Sequence, residues 1–205
     1  MTESHAANLK KALATARTQL EQAIFHLAPT HVGGEQEAYD TAYEKMVAIE
    51  RELANVEHRA YAIRQDCATP WDTGAPLPTL LQSDHHTLLF FLLADSDLVG
   101  RIEFEGCLAT CFGNPGDEML TRHPLYGSGF EPYRAMRVMN SPWVERLREM
   151  DSVHPQHDPS TYAALRHFIF SFHDVTFECV ARSFRSSRLD GPFSDAVKTG
   201  VDQLL

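Results

Sequence analysis

This chain of 205 residues lacks the features of several large protein classes. Its longest apolar run, Leu88–Ala94, is far shorter than the roughly 18–20 residues that cross a membrane, and no apolar segment typical of a secretory signal occurs near the N-terminus. Lysine and arginine total 18 against 28 aspartate and glutamate, which gives a formal charge of -10 and argues against a phosphate-binding surface. We therefore expect a cytoplasmic protein that binds neither membrane nor nucleic acid.

Cysteine is scarce and carries no metal-binding spacing. The four cysteines, with no CxxC or CxxH among them, are Cys67, Cys107, Cys111 and Cys179. Cys107 and Cys111 fall in one predicted strand, where four residues span roughly 13 Å, too far for one disulfide or one zinc ion. We expect four free thiols.

Motifs that would name a reaction are also missing. No HxH, HExxH or HxxxH spacing is present, and Gly127-Ser128-Gly129 lacks the lysine and helix that complete a phosphate-binding loop. Function must therefore be sought in the arrangement of side chains on predicted elements.

The first third of the chain is helical by its spacing. Apolar residues recur every 3.5 residues on average in two runs: Leu9, Leu13, Ala16, Leu20, Ala23 and Leu27, then Tyr39, Ala42, Met46, Ile49, Leu53, Val56, Ala60 and Ile63. Pro29, Gly33 and Gly34 interrupt them within 28–34, which predicts an antiparallel hairpin whose second helix covers 35–65. Its seam would pack either on the rest of the chain or on a second copy, as a homodimer through the N-terminal helices.

The chain as a whole predicts an α+β fold. Its parts are a helical hairpin over 1–66, a proline-rich linker over 67–78, a sheet domain over 79–190, and a short helix or tail over 191–205. The sheet is expected to be mostly antiparallel, with about five strands and short helices against it.

Within the sheet domain, the pattern of Thr87–Ala94 predicts either a strand buried on both faces or a helix turn, and Arg101–Phe112 is predicted to be a single half-buried strand. Residues 114–130 form a long loop. Ser141-Pro142 and Asp158-Pro159 each supply a cap and a first-turn proline, so each predicts a helix start.

The most informative stretch, residues 166–182, predicts a β-hairpin. A turn at His173–Thr176 places Phe172 opposite Phe177, and partners across an antiparallel pair share a face. One face is then apolar, with Phe168, Phe170, Phe172, Phe177, Cys179 and Ala181. The other is mostly polar, with His167, Ile169, Ser171, His173, Thr176, Glu178, Val180 and Arg182.

The polar face of this hairpin is the candidate site. Ser171 would lie opposite Glu178, with His173 one step along the same face. His173 would act as a base or ligand, and Glu178 would orient it or serve as a second ligand. With His123 from the long loop, the predicted catalytic set is His173, Glu178, Ser171 and His123.

A metal-assisted version of the site uses His173, Glu178 and His157. Imidazole and carboxylate ligands with open positions suit one divalent ion such as iron, manganese or zinc. The same polar face is equally the expected solvated side of an antiparallel sheet.

Two classes of function follow. The first is a small enzyme or ligand-binding protein acting on a small polar or anionic molecule, with Arg122, His123, Tyr126 and Arg134 of the loop closing over an anion. The alternative is a non-catalytic partner-binding protein, an adaptor or immunity-like protein, that uses its heptad helices and acidic surface.

Overall fold

A computed structural model describes residues 2–26, 33–94 and 98–204. The chain divides into two compact units. The first comprises Met1–Ala62 with Leu125–Phe130, and the second comprises Ile63–Pro124 with Glu131–Leu205. A helical hairpin followed by antiparallel sheets and short helices confirms the predicted α+β class.

The first unit is built on helices α1 (Thr2–His26) and α2 (Gly33–Val56). Their seam is buried within the chain, in a cluster centred on Leu9, Leu13 and Leu53. The 3.5-residue spacing thus serves packing of one helix on the other. Association of two copies through this hairpin stays a prediction. Most of the predicted break at 28–34 lies outside the described residues.

Helix α2 ends earlier than the predicted 35–65. His58 has a positive φ of 53°, and the amide of Arg59 donates to the carbonyl of Ala54 at 2.9 Å, which closes the helix with a left-handed residue. Strand β1 (Tyr61–Arg64) follows. The prediction failed here because two more apolar residues, at 60 and 63, fit the end of a helix and the start of a strand equally well.

The second unit holds two sheets. Besides β1, the strands are β2 (Thr79–Gln82), β3 (Thr87–Leu92), β4 (Val99–Glu105), β5 (Ala109–Gly113), β6 (Ala135–Met139), β7 (Arg166–Ser171), β8 (Thr176–Ala181) and β9 (Ser183–Leu189). The five-stranded sheet has the order β1-β6-β7-β8-β5 and the four-stranded sheet the order β2-β3-β4-β9. One five-stranded antiparallel sheet matches the expectation of about five strands, and a four-stranded sheet accompanies it. The turn predicted at 95–97 lies outside the described residues.

An aromatic core joins the two sheets. It contains Leu89, Phe91, Ile102 and Phe104 from one sheet and Phe168, Phe170, Phe177 and Cys179 from the other. Trp71, from the proline-rich segment, is only 5% exposed and packs in this core, where its indole Nε1 donates to the carbonyl of Ser171 at 3.1 Å. The apolar face predicted for the hairpin is thus the face that the core buries.

The predicted strand 101–112 is in fact two strands that belong to different sheets. Gly106 separates β4 from β5 with φ of 58°, a backbone conformation that residues with a Cβ adopt reluctantly. A Cβ at this position would also lie 2.9 Å from Nε of Arg182. Alternation alone missed the turn, because the apolar–polar pattern continues on both sides of it.

The short helices begin where the sequence predicted. Helix α3 (Pro142–Asp151) is capped by Ser141, and helix α4 (Pro159–Ala163) by Asp158. Helix α5 (Phe193–Leu204) packs on the four-stranded sheet through a cluster that includes Phe90 and Ala196. Within the described ranges, no helix is both long and apolar enough to cross a bilayer.

The predicted loop 114–130 contains a 3-10 helix, Asp117–Arg122. Its start is tied to the tip of the 166–182 hairpin, because the amide of Asp117 donates to the carbonyl of His173 at 2.8 Å. His123 directly follows this helix, and its side chain reaches Glu178 on the polar face of the hairpin.

Candidate functional site

The hairpin of β7 and β8 forms, but its register differs from the predicted one by two residues. Phe170, rather than Phe172, lies opposite Phe177, and Ile169 lies opposite Glu178. The turn is tighter than expected, since the amide of Phe172 donates to the carbonyl of Val175 at 2.9 Å. A slip of two residues leaves each side chain on its predicted face but gives it different neighbours.

The new register places Glu178 beside His167 instead of His173. The distance from Glu178 Oε2 to His167 Nε2 is 2.8 Å, and the other oxygen, Oε1, lies 3.7 Å from Nε2 of His123. The histidine side chains are 7% and 5% exposed and the carboxylate 23%. Two predicted site residues, Glu178 and His123, are therefore close together. The third member of the cluster is His167, which was predicted to lie on the polar face but was not predicted to be a site residue.

Ser141 completes the cluster from outside the hairpin. Its Oγ lies 3.0 Å from Nδ1 of His167, the ring nitrogen that does not face Glu178. The same Oγ accepts a hydrogen bond from the amide of Val144 at 3.3 Å as the N-cap of α3. Trp143 packs edge-on against the imidazole of His167, with ring centroids 5.1 Å apart.

A hydroxyl, an imidazole and a carboxylate thus form one continuous chain of contacts, which we call the Ser141–His167–Glu178 relay. In the sequence, Ser141 directly precedes Pro142, and this pair predicted only that Ser141 caps a helix. It did not indicate a catalytic role. Only the pairing of β6 with β7, in which Val138 lies opposite His167, brings the two segments together.

The charge of the relay is set by its surroundings. Burial by itself raises the pKa of Glu178, but the interactions with His123 and His167 outweigh it and hold the pKa at about 2. Glu178 is therefore an anion at neutral pH. A neutral His167 then donates its Nε2 proton to the carboxylate, which leaves Nδ1 as an acceptor for the hydroxyl of Ser141.

Ser171, predicted as catalytic, takes a different place. It is fully buried, and its Oγ accepts a hydrogen bond from the amide of Tyr133 at 2.8 Å. The structure therefore uses this hydroxyl to fix a neighbouring loop and does not bring it to Glu178.

His173 belongs to a second, exposed cluster at the hairpin tip. Its Nδ1 lies 2.9 Å from Oδ1 of Asp174, and its Nε2 lies 4.0 Å from Oδ2 of Asp117. Asp174 first, then Asp117, raises the pKa of His173 above its usual value. Tyr133 donates a hydrogen bond to Asp117, and this bond raises the tyrosine pKa to about 12.

The predicted metal ligands His173, Glu178 and His157 do not converge. His157 pairs instead with Asp151, with 2.8 Å between Nδ1 and Oδ2. Among the residues that the structure describes, no three or more histidine, cysteine, aspartate or glutamate side chains are arranged to hold a metal ion.

The relay opens on a cavity of about 480 Å³. Its walls come from the end of β6, the start of α3 and the start of β7, and they include Ser141, His167, Arg137, Arg166, Asn140 and Leu165. The loop residues predicted to close over an anion are not among its lining, and Arg122, Tyr126 and Arg134 are exposed. A small molecule in this cavity would lie beside the hydroxyl end of the relay.

The cysteines are free thiols in different surroundings. Burial raises the pKa of Cys179 well above its usual value. A hydrogen bond with Cys179 lowers the pKa of half-buried Cys107 to about 7. Neither thiol contributes to the relay, because both lie at the aromatic core.

Comparisons of the chain with known protein families, with curated proteins and with solved structures gave no match. The functional argument below therefore depends on the geometry of this chain alone.

Proposed function

We propose that the protein is a small hydrolytic enzyme that cleaves an ester or amide bond in a small anionic molecule. Ser141 is the nucleophile, His167 the general base and Glu178 the group that orients and stabilises the imidazole. The observation that carries this proposal is the uninterrupted Ser141–His167–Glu178 relay beside a cavity large enough for a small molecule.

The chemistry follows from the relay. Oγ of Ser141 bonds to the substrate's carbonyl carbon as its proton passes to Nδ1 of His167 and an electron pair moves to the carbonyl oxygen. When that pair returns, the bond to the leaving group breaks, and the leaving group takes the proton from His167. Water then repeats both steps on the acyl-enzyme and releases the acid.

Glu178 keeps its charge throughout this cycle. With a pKa of about 2 it does not take the proton, and it stabilises the imidazolium that forms transiently. In most serine triads Nε2 faces the hydroxyl, whereas here Nδ1 does so and Nε2 faces the carboxylate. Each nitrogen still performs one of the two required roles.

Positive potential around Ser141 favours the oxyanion that the attack creates. Ser141 stands at the N-terminus of α3, the positive end of the helix dipole, and Arg137 and Arg166 line the same cavity.

A substrate-independent experiment tests the proposal. A fluorophosphonate probe, which reacts with activated serines, should label the wild-type chain at Ser141, as located by peptide mass spectrometry. Ser141→Asn keeps a good helix cap and removes the nucleophile, so it should abolish labelling and lower hydrolysis of 4-nitrophenyl esters by about 10³-fold or more.

The matched control is Asp158→Asn, which alters the cap of α4 and leaves the relay intact. It should label and hydrolyse within about twofold of the wild type. A correctly folded wild-type chain that neither labels at Ser141 nor hydrolyses any ester would overturn the proposal.

A second candidate is binding of another protein through the C-terminal end of α1. Two large apolar side chains there, Ile24 and Phe25, are 52% and 86% exposed. Adjacent exposed apolar residues of this size favour a contact surface. This candidate becomes the leading one if Ser141 proves unreactive.

A further inference from the structure

Three arginines gather at one end of the three inner strands of the five-stranded sheet, on β6, on β7 and directly after β8. Arg137 and Arg166 line the cavity of about 480 Å³ that opens on the relay. Both also line a neighbouring cavity of about 230 Å³, where Arg182 joins them. In a chain with a formal charge of -10, such a grouping of cations runs against the overall composition.

The strand register explains where two of these arginines, Arg137 and Arg166, lie in the sheet. Arg137 lies opposite Phe168 and Arg166 opposite Ala181, so both arginines stand on the face that packs on the aromatic core. Arginine on such a face covers apolar atoms with its methylene stem while its guanidinium reaches solvent. The smaller cavity is accordingly walled by Phe168 and Phe184 as well as by the arginines.

Arginines outnumber carboxylates among the residues that line each of the two cavities. Asp66 lines the smaller cavity, so three arginines there face one carboxylate. Glu145 lines the larger cavity, but Arg148 neutralises it, with 3.0 Å between Arg148 Nε and Glu145 Oε2.

Arg166 is held in place before any ligand arrives. Its Nη1 donates to the carbonyls of Ala163 and Leu165 at 2.7 and 2.8 Å. Its remaining guanidinium donors are then oriented without further loss of side-chain freedom when they bind an anion.

We propose that Arg137, Arg166 and Arg182 form an oxyanion-binding subsite that selects substrates carrying a carboxylate or phosphate group. Guanidinium groups bind both anions through paired N–H donors. The substrate class depends on the proposed hydrolytic function, whereas anion binding by the three arginines does not.

Titration of the full chain with inorganic phosphate and, separately, with succinate tests the subsite, with binding followed by calorimetry at low salt. The wild type should bind at least one of them, and Arg166→Gln and Arg182→Gln should each weaken that binding about tenfold or more. Arg166→Lys keeps the positive charge but loses the paired N–H donors of the guanidinium. It should therefore bind the anion more weakly than the wild type and more tightly than Arg166→Gln.

Arg122→Gln is the matched control, because Arg122 is an exposed arginine that lines neither cavity. It should bind like the wild type. Preference for phosphate would point to phosphorylated substrates, and preference for succinate to carboxylates.

Binding of neither anion, or wild-type binding by Arg166→Gln and Arg182→Gln, would overturn the subsite. Ser141→Asn separates the two proposals, since it should keep anion binding in full. A chain that binds the anion through these arginines but does not label at Ser141 would overturn only the hydrolytic function.

Discussion

The 166–182 hairpin carries two histidine–carboxylate pairs that differ mainly in burial. His167 and Glu178 are 2.8 Å apart in the strands, and His173 and Asp174 are 2.9 Å apart at the tip. The strand pair is 7% and 23% exposed, whereas the tip pair is 43% and 85% exposed. Residue types and distances are nearly the same, so the difference between the pairs comes from what surrounds them.

Because the pair in the strands is buried, its side chains have fixed partners. Both nitrogens of His167 have a partner, and a second histidine faces the same carboxylate. At the tip, water screens the charges and competes for the same hydrogen bonds. A histidine beside a carboxylate therefore says little about function until its burial and its second nitrogen are known.

The largest expected difference between the two pairs is in stability. Glu178→Gln should lower the free energy of unfolding at pH 7 by about 2–3 kcal/mol, because a buried carboxylate loses its interactions with two histidines. Asp174→Asn should change it by less than about 0.5 kcal/mol. Urea unfolding followed by tryptophan fluorescence measures both, since Trp71 and Trp143 both lie in the sheet unit. Equal losses in the two variants would show that burial does not distinguish the pairs.

A second expected difference is the response to acid. The pKa of Glu178 falls from an ordinary 4.5 to about 2 on folding, so its contribution is complete above about pH 5 and is lost as the pH falls towards 2. The shift corresponds to at most about 3 kcal/mol. The gap in unfolding free energy between the wild type and Glu178→Gln should therefore shrink steadily from pH 5 to pH 2.5. A gap that stays constant over this range would mean that the charge of Glu178 contributes nothing.

The smallest expected effect is at the tip. The pKa of His173 lies above its ordinary 6.5, so its weak stabilisation is present at low pH and disappears as the pH rises through the folded pKa. A proton NMR titration should show the raised pKa, and Asp174→Asn should move it back towards 6.5. An unchanged titration in that variant would assign the effect to Asp117 instead.

Much of the fold was predictable because it follows local rules. The strand faces follow alternation of apolar and polar residues, and the starts of α3 and α4 follow a cap and a proline. The end of α2 was not, because the apolar residues at 60 and 63 fit either a helix or a strand. Gly106 was also missed, although a glycine between two alternating runs is a recognised signal for a turn or bulge.

The sequence predicted that histidine and carboxylate side chains of the hairpin's polar face form the candidate site. It did not predict which of these residues contact one another. Alternation fixes a face with a period of two, so registers that differ by two residues sort the side chains equally well. Only the tight turn at His173 and Asp174 selects the register that gives Glu178 its neighbour. Ser141 lies far from His167 in the chain, and no local pattern encodes the strand pairing that joins them.

The length of this hairpin tip has a consequence for how such a protein diversifies. A turn of four residues in place of two would shift the pairing register by two residues, and would therefore keep every phenylalanine on the core face while exchanging which imidazole meets the carboxylate. Proteins related to this chain can therefore acquire different contacts among their polar side chains without a change in the apolar core.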